Sequence, residues 1–125
     1  MKREISFRGK SKSTGEWVFG NLFDKDTKGR THIGTTVRRC FDIDPETVGQ
    51  FTGMTDKNGT KIFEGDIVRH IDTTCHVVEV VNSEVYFDTE MLKFRFRHSN
   101  ELFHCQFNNE CEAIGNVYDN KDLLK

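Results

Sequence analysis

The chain has 125 residues, 35% of them hydrophobic and 30% charged, with one proline and a net charge of −2 at pH 7. That balance excludes a disordered polyelectrolyte and a fibrous repeat, and the length favours a single core, since two would each bury too little apolar surface. No run approaches the roughly 20 apolar residues that a bilayer-crossing helix needs, and no signal-like core follows Met1, so a cytoplasmic protein without membrane attachment is expected. The charge is unevenly placed: residues 1–40 hold ten Lys or Arg against four acids, and residues 41–125 hold eight against sixteen. Such asymmetry suits either a nucleic-acid contact or the cover of basic segments by acidic surface of the same or a neighbouring copy. The four cysteines, Cys40, Cys75, Cys105 and Cys111, are expected to be free thiols in a reducing compartment.

In chain order, Ile5 and Phe7 and then Trp17, Phe19 and Phe23 alternate with polar residues, which predicts an opening hairpin across the polar turn 10–15. Residues 24–36, rich in Lys, Thr, Gly and Asp, read as a surface loop of raised mobility. Val37, Phe41 and Ile43 resume the alternation, which Asp44-Pro45-Glu46-Thr47 ends with at most one helical turn. Asp56-Lys57-Asn58-Gly59 between Phe51 and Ile62-Phe63 predicts a hairpin, because Asn-Gly supplies the positive φ angles of a tight turn. Glu64-Gly65-Asp66 makes a second turn into Ile67, Val68 and Ile71, followed by Val77, Val78, Val80 and Val81. Further period-two runs follow at Val85 to Phe87, at Leu92, Phe94 and Phe96, and at Phe103, Cys105 and Phe107. Ile114 to Tyr118 reads as a last strand, and Asp119 or Asn120 as the cap of a short C-terminal helix through Leu123 and Leu124.

These runs predict an all-β domain spanning residues 1–125, of antiparallel hairpins and a meander, with an N-terminal hairpin region over 1–43 and a compact barrel-like half over about 56–118. Phe, at eleven copies, is expected to be the main core filler.

Pro45-Glu46-Thr47-Val48-Gly49-Gln50-Phe51-Thr52-Gly53, then Asp56-Lys57-Asn58-Gly59, then Ile62-Phe63-Glu64-Gly65-Asp66-Ile67-Val68 resemble the central signature of the YopX family of phage and prophage proteins. The opening Arg3-Glu4-Ile5 and Phe7-Arg8-Gly9, and the closing Ile114-Gly115-Asn116-Val117-Tyr118-Asp119-Asn120 with Leu123-Leu124, resemble that family's two ends in the same order. The resemblance implies a mainly β accessory protein with no assigned catalytic residue or ligand. The signature's glycines read as turn and close-approach positions.

Side chains able to carry chemistry fall into four groups. Cys75-His76, His104-Cys105 and Cys111 lack the paired Cys-x2-4-Cys spacing of structural zinc sites, and His104 and Cys105 would face opposite sides of a strand. A Cys–His nucleophile has no supporting motif, and cysteines inside strand alternation read as small buried hydrophobes. Asp56, Glu64 and Asp66 could gather around a cation but read better as turn formers. Lys93, Arg95 and Arg97 project opposite Leu92, Phe94 and Phe96, a basic ridge able to follow a phosphate backbone with help from His98, Lys2, Arg3, Arg8, Arg38 and Arg39, or else a solvated outer face. The expected function is a non-catalytic, cofactor-free module that self-associates or binds another phage or host protein. The alternative is a small-barrel nucleic-acid binder using Lys93, Arg95 and Arg97.

Overall fold

A computed structural model describes residues 4–72, 79–97, 104–106 and 110–124. The described residues are all-β, with two single turns of 3-10 helix, and the chain divides into two compact units, residues 1–53 and 54–125.

The first unit is built on β1 (Phe7–Lys10), β2 (Trp17–Phe23), β3 (Thr31–Thr36), β4 (Arg39–Ile43) and the start of β5 (Gly49–Thr55). They lie antiparallel in the order β4-β3-β2-β1-β5. The sheet curls: Ser11 bridges Ile43, the Lys12 amide donates to the Asp42 carbonyl, and the Asp44 amide to that of Lys10, both at 2.9 Å. Ile33 and Ile43 fill the inside of the curl. Gly9 is required beneath them, since a Cβ there would stand 2.5 Å from Ile43 Cγ2. Asp44 caps the turn Pro45–Thr47 by accepting from the Glu46 amide, and Thr47 Oγ1 accepts from the Lys10 amide at 2.8 Å.

The expected surface loop 24–36 is a loop only in its first half. Only residues 24–30 connect, and Thr31–Thr36 is a central strand. Three threonines and an isoleucine favour a strand despite their low apolar content, and Gly34 lets β4 approach so closely that a Cβ would collide with the Arg39 carbonyl and Cys40.

The second unit carries β6 (Lys61–Phe63), β7 (Asp66–Asp72), β8 (Glu79–Asp88), β9 (Lys93–Arg97), β10 (His104–Gln106) and β11 (Glu112–Asn116). The meander β7 to β10 is joined by β11 on the far side of β7, in the order β10-β9-β8-β7-β11. This is an open sheet, which corrects the barrel-like expectation: β11 takes the free edge of β7, and among the described residues nothing joins it to β10. One face of the sheet holds the core of Ile62, Val68, Val85, Phe96 and Cys111, with Ala113 against it. His70 lies on the same face, its Nε2 2.8 Å from Ser83 Oγ and its ring 4.5 Å from that of Phe96.

Among the described residues, branched aliphatics outnumber phenylalanine in the fully buried side chains of both units, which corrects the expected role of Phe as main core filler. Phe51, Phe63 and Phe96 are buried, whereas Phe19, Phe41 and Phe87 are exposed. The C-terminal helix shrinks to one 3-10 turn, Lys121–Leu124, because four residues are too few to propagate an α-helical hydrogen-bond ladder. It is tied to β8 by the Asn82 side-chain amide donating to the Leu123 carbonyl at 3.0 Å.

Candidate functional site

The register Glu84↔Arg97, Tyr86↔Arg95 and Asp88↔Lys93 places the predicted ridge Lys93, Arg95 and Arg97 on one face with a row from β8. That row is acidic at both ends. Arg95 Nη1 stands 3.0 Å from Asp88 Oδ2 and Arg97 Nη2 3.2 Å from Glu84 Oε1, and the Arg97 guanidinium lies over the Tyr86 ring at 4.3 Å. The Asp88 carboxyl is held below its ordinary value, first by the Met91 amide, against the opposing effect of burial, and further by Arg95 and the Glu90 amide. The ridge is therefore a cross-strand ladder of opposite charges, in which Lys93 is exposed and the two arginines are partly covered. Of the expected helpers, Lys2, Arg3 and His98 lie outside the described residues, and Arg8, Arg38 and Arg39 belong to the first unit.

The turn beside this ladder differs from its sequence reading. Leu92, expected to point inward from a strand, sits in the β8–β9 turn with φ of 55° and 76% of its surface exposed. Asp88 Oδ1 builds the turn by accepting from the amides of Glu90 and Met91. Met91 is 57% exposed, and Phe87 packs edge-on against Phe94 at 5.2 Å, so the hairpin ends in an apolar tip next to the acid Glu90. The β3–β4 turn of the first unit has the opposite character, with Val37 71% and Phe41 54% exposed around the exposed Arg38 and Arg39.

The remaining groups carry less chemistry. Cys111 lies in the core, where burial, with the charges of Asp56 and Asp66, pushes its thiol up to about 11. Cys75 and His76 lie outside the described residues, as do the side chains of His104 and Cys105. Among the described residues no three His, Cys, Asp or Glu side chains gather to hold a metal ion. Asp56 and Asp66 act as turn acceptors: Asp56 takes the amides of Asn58, Thr60 and Ala113, each at 2.9 Å, and Asp66 that of Phe63 at 2.8 Å.

Sequence reasoning missed a cleft of about 520 Å³ in the first unit, lined by Phe23, Asp24, Asp26, His32 and Cys40 among others. Asp26 there accepts from the Lys28 and Arg30 amides and pairs with Arg30 Nε and His32 Nε2 at 2.9 and 3.0 Å. Its carboxyl is driven far below the ordinary range, the Arg30 amide contributing most. The signal was the spacing of Asp26, Arg30 and His32, hidden inside the segment read as a loop.

Comparison with solved structures finds the crystal structure of protein EF1440 from Enterococcus faecalis, 22% identical, with a TM-score of 0.55 over 99% of this chain and 100% of that one. At that identity the likeness extends to the fold. No curated protein matches the chain. The family model described as YopX protein matches residues 6–125, and on that near-complete match the chain belongs to the YopX family.

Proposed function

We propose that this chain is a non-catalytic, self-assembling module in which the β8–β9 tip of one copy docks on the β3–β4 turn of another. The observation that carries this reading is the complementarity of the two turns. Met91 and Leu92 stand exposed beside Glu90, and Val37 and Phe41 stand exposed around Arg38 and Arg39. Each turn offers apolar side chains that gain by leaving water, and the flanking charges have opposite signs. A second copy supplies both surfaces at once. Because the two turns are different surfaces, the contact is head-to-tail and leads to a closed ring or an open filament.

Sedimentation over a range of micromolar concentrations tests it. Oligomers are expected for the unaltered chain, with dissociation on Leu92→Asp or Val37→Asp, slower association on Glu90→Lys or Arg38→Glu alone, and recovery of the rate when those two charge reversals are combined. A monomer throughout rejects the proposal, and an oligomer indifferent to both turns rejects the assigned surfaces.

A further inference from the structure

The register Arg8↔Phe19 and Lys10↔Trp17 sets two cations and two aromatics on one face of the β1–β2 pair. Arg8 is buried, and its guanidinium lies 4.7 Å from the centre of the Trp17 ring, with Lys10 Nζ at 5.5 Å. Phe19, two residues along the strand, is 55% exposed. Positions 17 and 19 stand about 7 Å apart along an extended strand, far enough for each ring to meet a separate base. The exposed Lys12 continues the basic edge past Lys10, with Glu16 the neighbouring acid across the turn. Residues 1–53 carry ten Lys or Arg against seven acids.

We infer that this face binds single-stranded nucleic acid, with Phe19 and Trp17 stacking on bases and Lys10 and Lys12 meeting phosphates. Stacking needs an accessible ring, which Phe19 offers most openly, and the half-buried Trp17 beside it is held in a fixed plane by the buried Arg8 that packs on it. A single strand fits better than a duplex because only unpaired bases offer open π-faces, and better than a peptide because the cations stand directly opposite the rings.

Trp17 is the sole tryptophan, so its fluorescence reports directly on the face. Titration with a thymidine strand of about 16 nucleotides at low salt is expected to give saturable quenching that weakens as salt rises. Phe19→Ala should lower affinity about tenfold while Phe19→Tyr retains it. Lys10→Gln and Lys12→Gln should each flatten the slope of log affinity against log salt by about 0.7. The Arg95→Ala, Arg97→Ala double variant and the association-deficient Leu92→Asp variant should bind as the unaltered chain does, which separates this site from the ridge and from self-assembly. Absence of quenching at low salt would overturn the inference. So would equal binding of duplex, indifference to Phe19→Ala, or loss of binding in the Arg95, Arg97 variant alone.

Discussion

Asp56 ties two distant parts of the second unit together. Its two oxygens hold the hairpin turn through the Asn58 and Thr60 amides and fasten the start of β11 through the Ala113 amide, 57 positions away in sequence. Burial raises its carboxyl value, and those three amides with Lys57 outweigh that effect, so the folded value lies below the ordinary 3.8. The sign follows: the folded state releases this proton more readily than the unfolded chain. The stabilisation is thus fully present above the unfolded value and is lost as pH falls through the folded one. Asp56→Ala leaves three amides to find other acceptors and should cost on the order of 3 kcal/mol in urea unfolding near neutral pH. The cost should shrink on acidification, and a constant difference across that range would show that the carboxylate charge is not what holds the turn. The Asp-x-Asn-Gly spacing made the hairpin legible in the sequence, whereas the long reach to Ala113 has no local signature.

At the scale of elements, period two carried the strand readings furthest where one face is dry. β9 shows it, with Phe96 fully buried between Arg95 and Arg97. The alternation misled at Leu92, because an apolar residue at the right spacing was counted inward although the chain had already turned. It failed again at Thr31–Thr36, where strand formation rests on β-branched threonines and on a glycine that admits a neighbouring backbone. Of the candidate sites, the cations of β9 were legible, and the acids opposite them were not, since cross-strand partners emerge only with the register. Leu92 yields a prediction of its own. A left-handed φ is unfavourable for a leucine and tolerated by asparagine, so Leu92→Asn should stabilise the fold by about 1 kcal/mol, read as a higher urea midpoint at unchanged slope. If self-assembly uses this tip, the same variant should also sediment as a smaller species, gaining stability while losing association. A midpoint that falls instead would mean that the leucine is held by intrachain packing.

At the scale of the whole molecule, charge and apolar surface make different demands on the solvent. Residues 1–53 hold ten Lys or Arg against seven acids, and residues 54–125 hold eight against thirteen, so the units differ in sign although the chain is nearly neutral. Attraction between exposed charges fades beyond about 8 Å at physiological ionic strength. The proposed burial of Leu92, Met91, Val37 and Phe41 between copies would not fade with salt, and sulfate, which is excluded from protein surface, would strengthen it. Self-assembly through the two turns should therefore survive moderate sodium chloride and tighten in sodium sulfate, with only its association rate slowed by screening of Glu90, Arg38 and Arg39. Oligonucleotide binding at the β1–β2 face should weaken in both salts, because each phosphate contact releases a counterion into a solution already rich in them. Sedimentation and Trp17 fluorescence run in parallel in the two salts separate these dependences. Oligomers that dissociate in sulfate would assign the contact to charge pairs instead of the apolar tips, and would move the interface from the turns to the oppositely charged surfaces of the units.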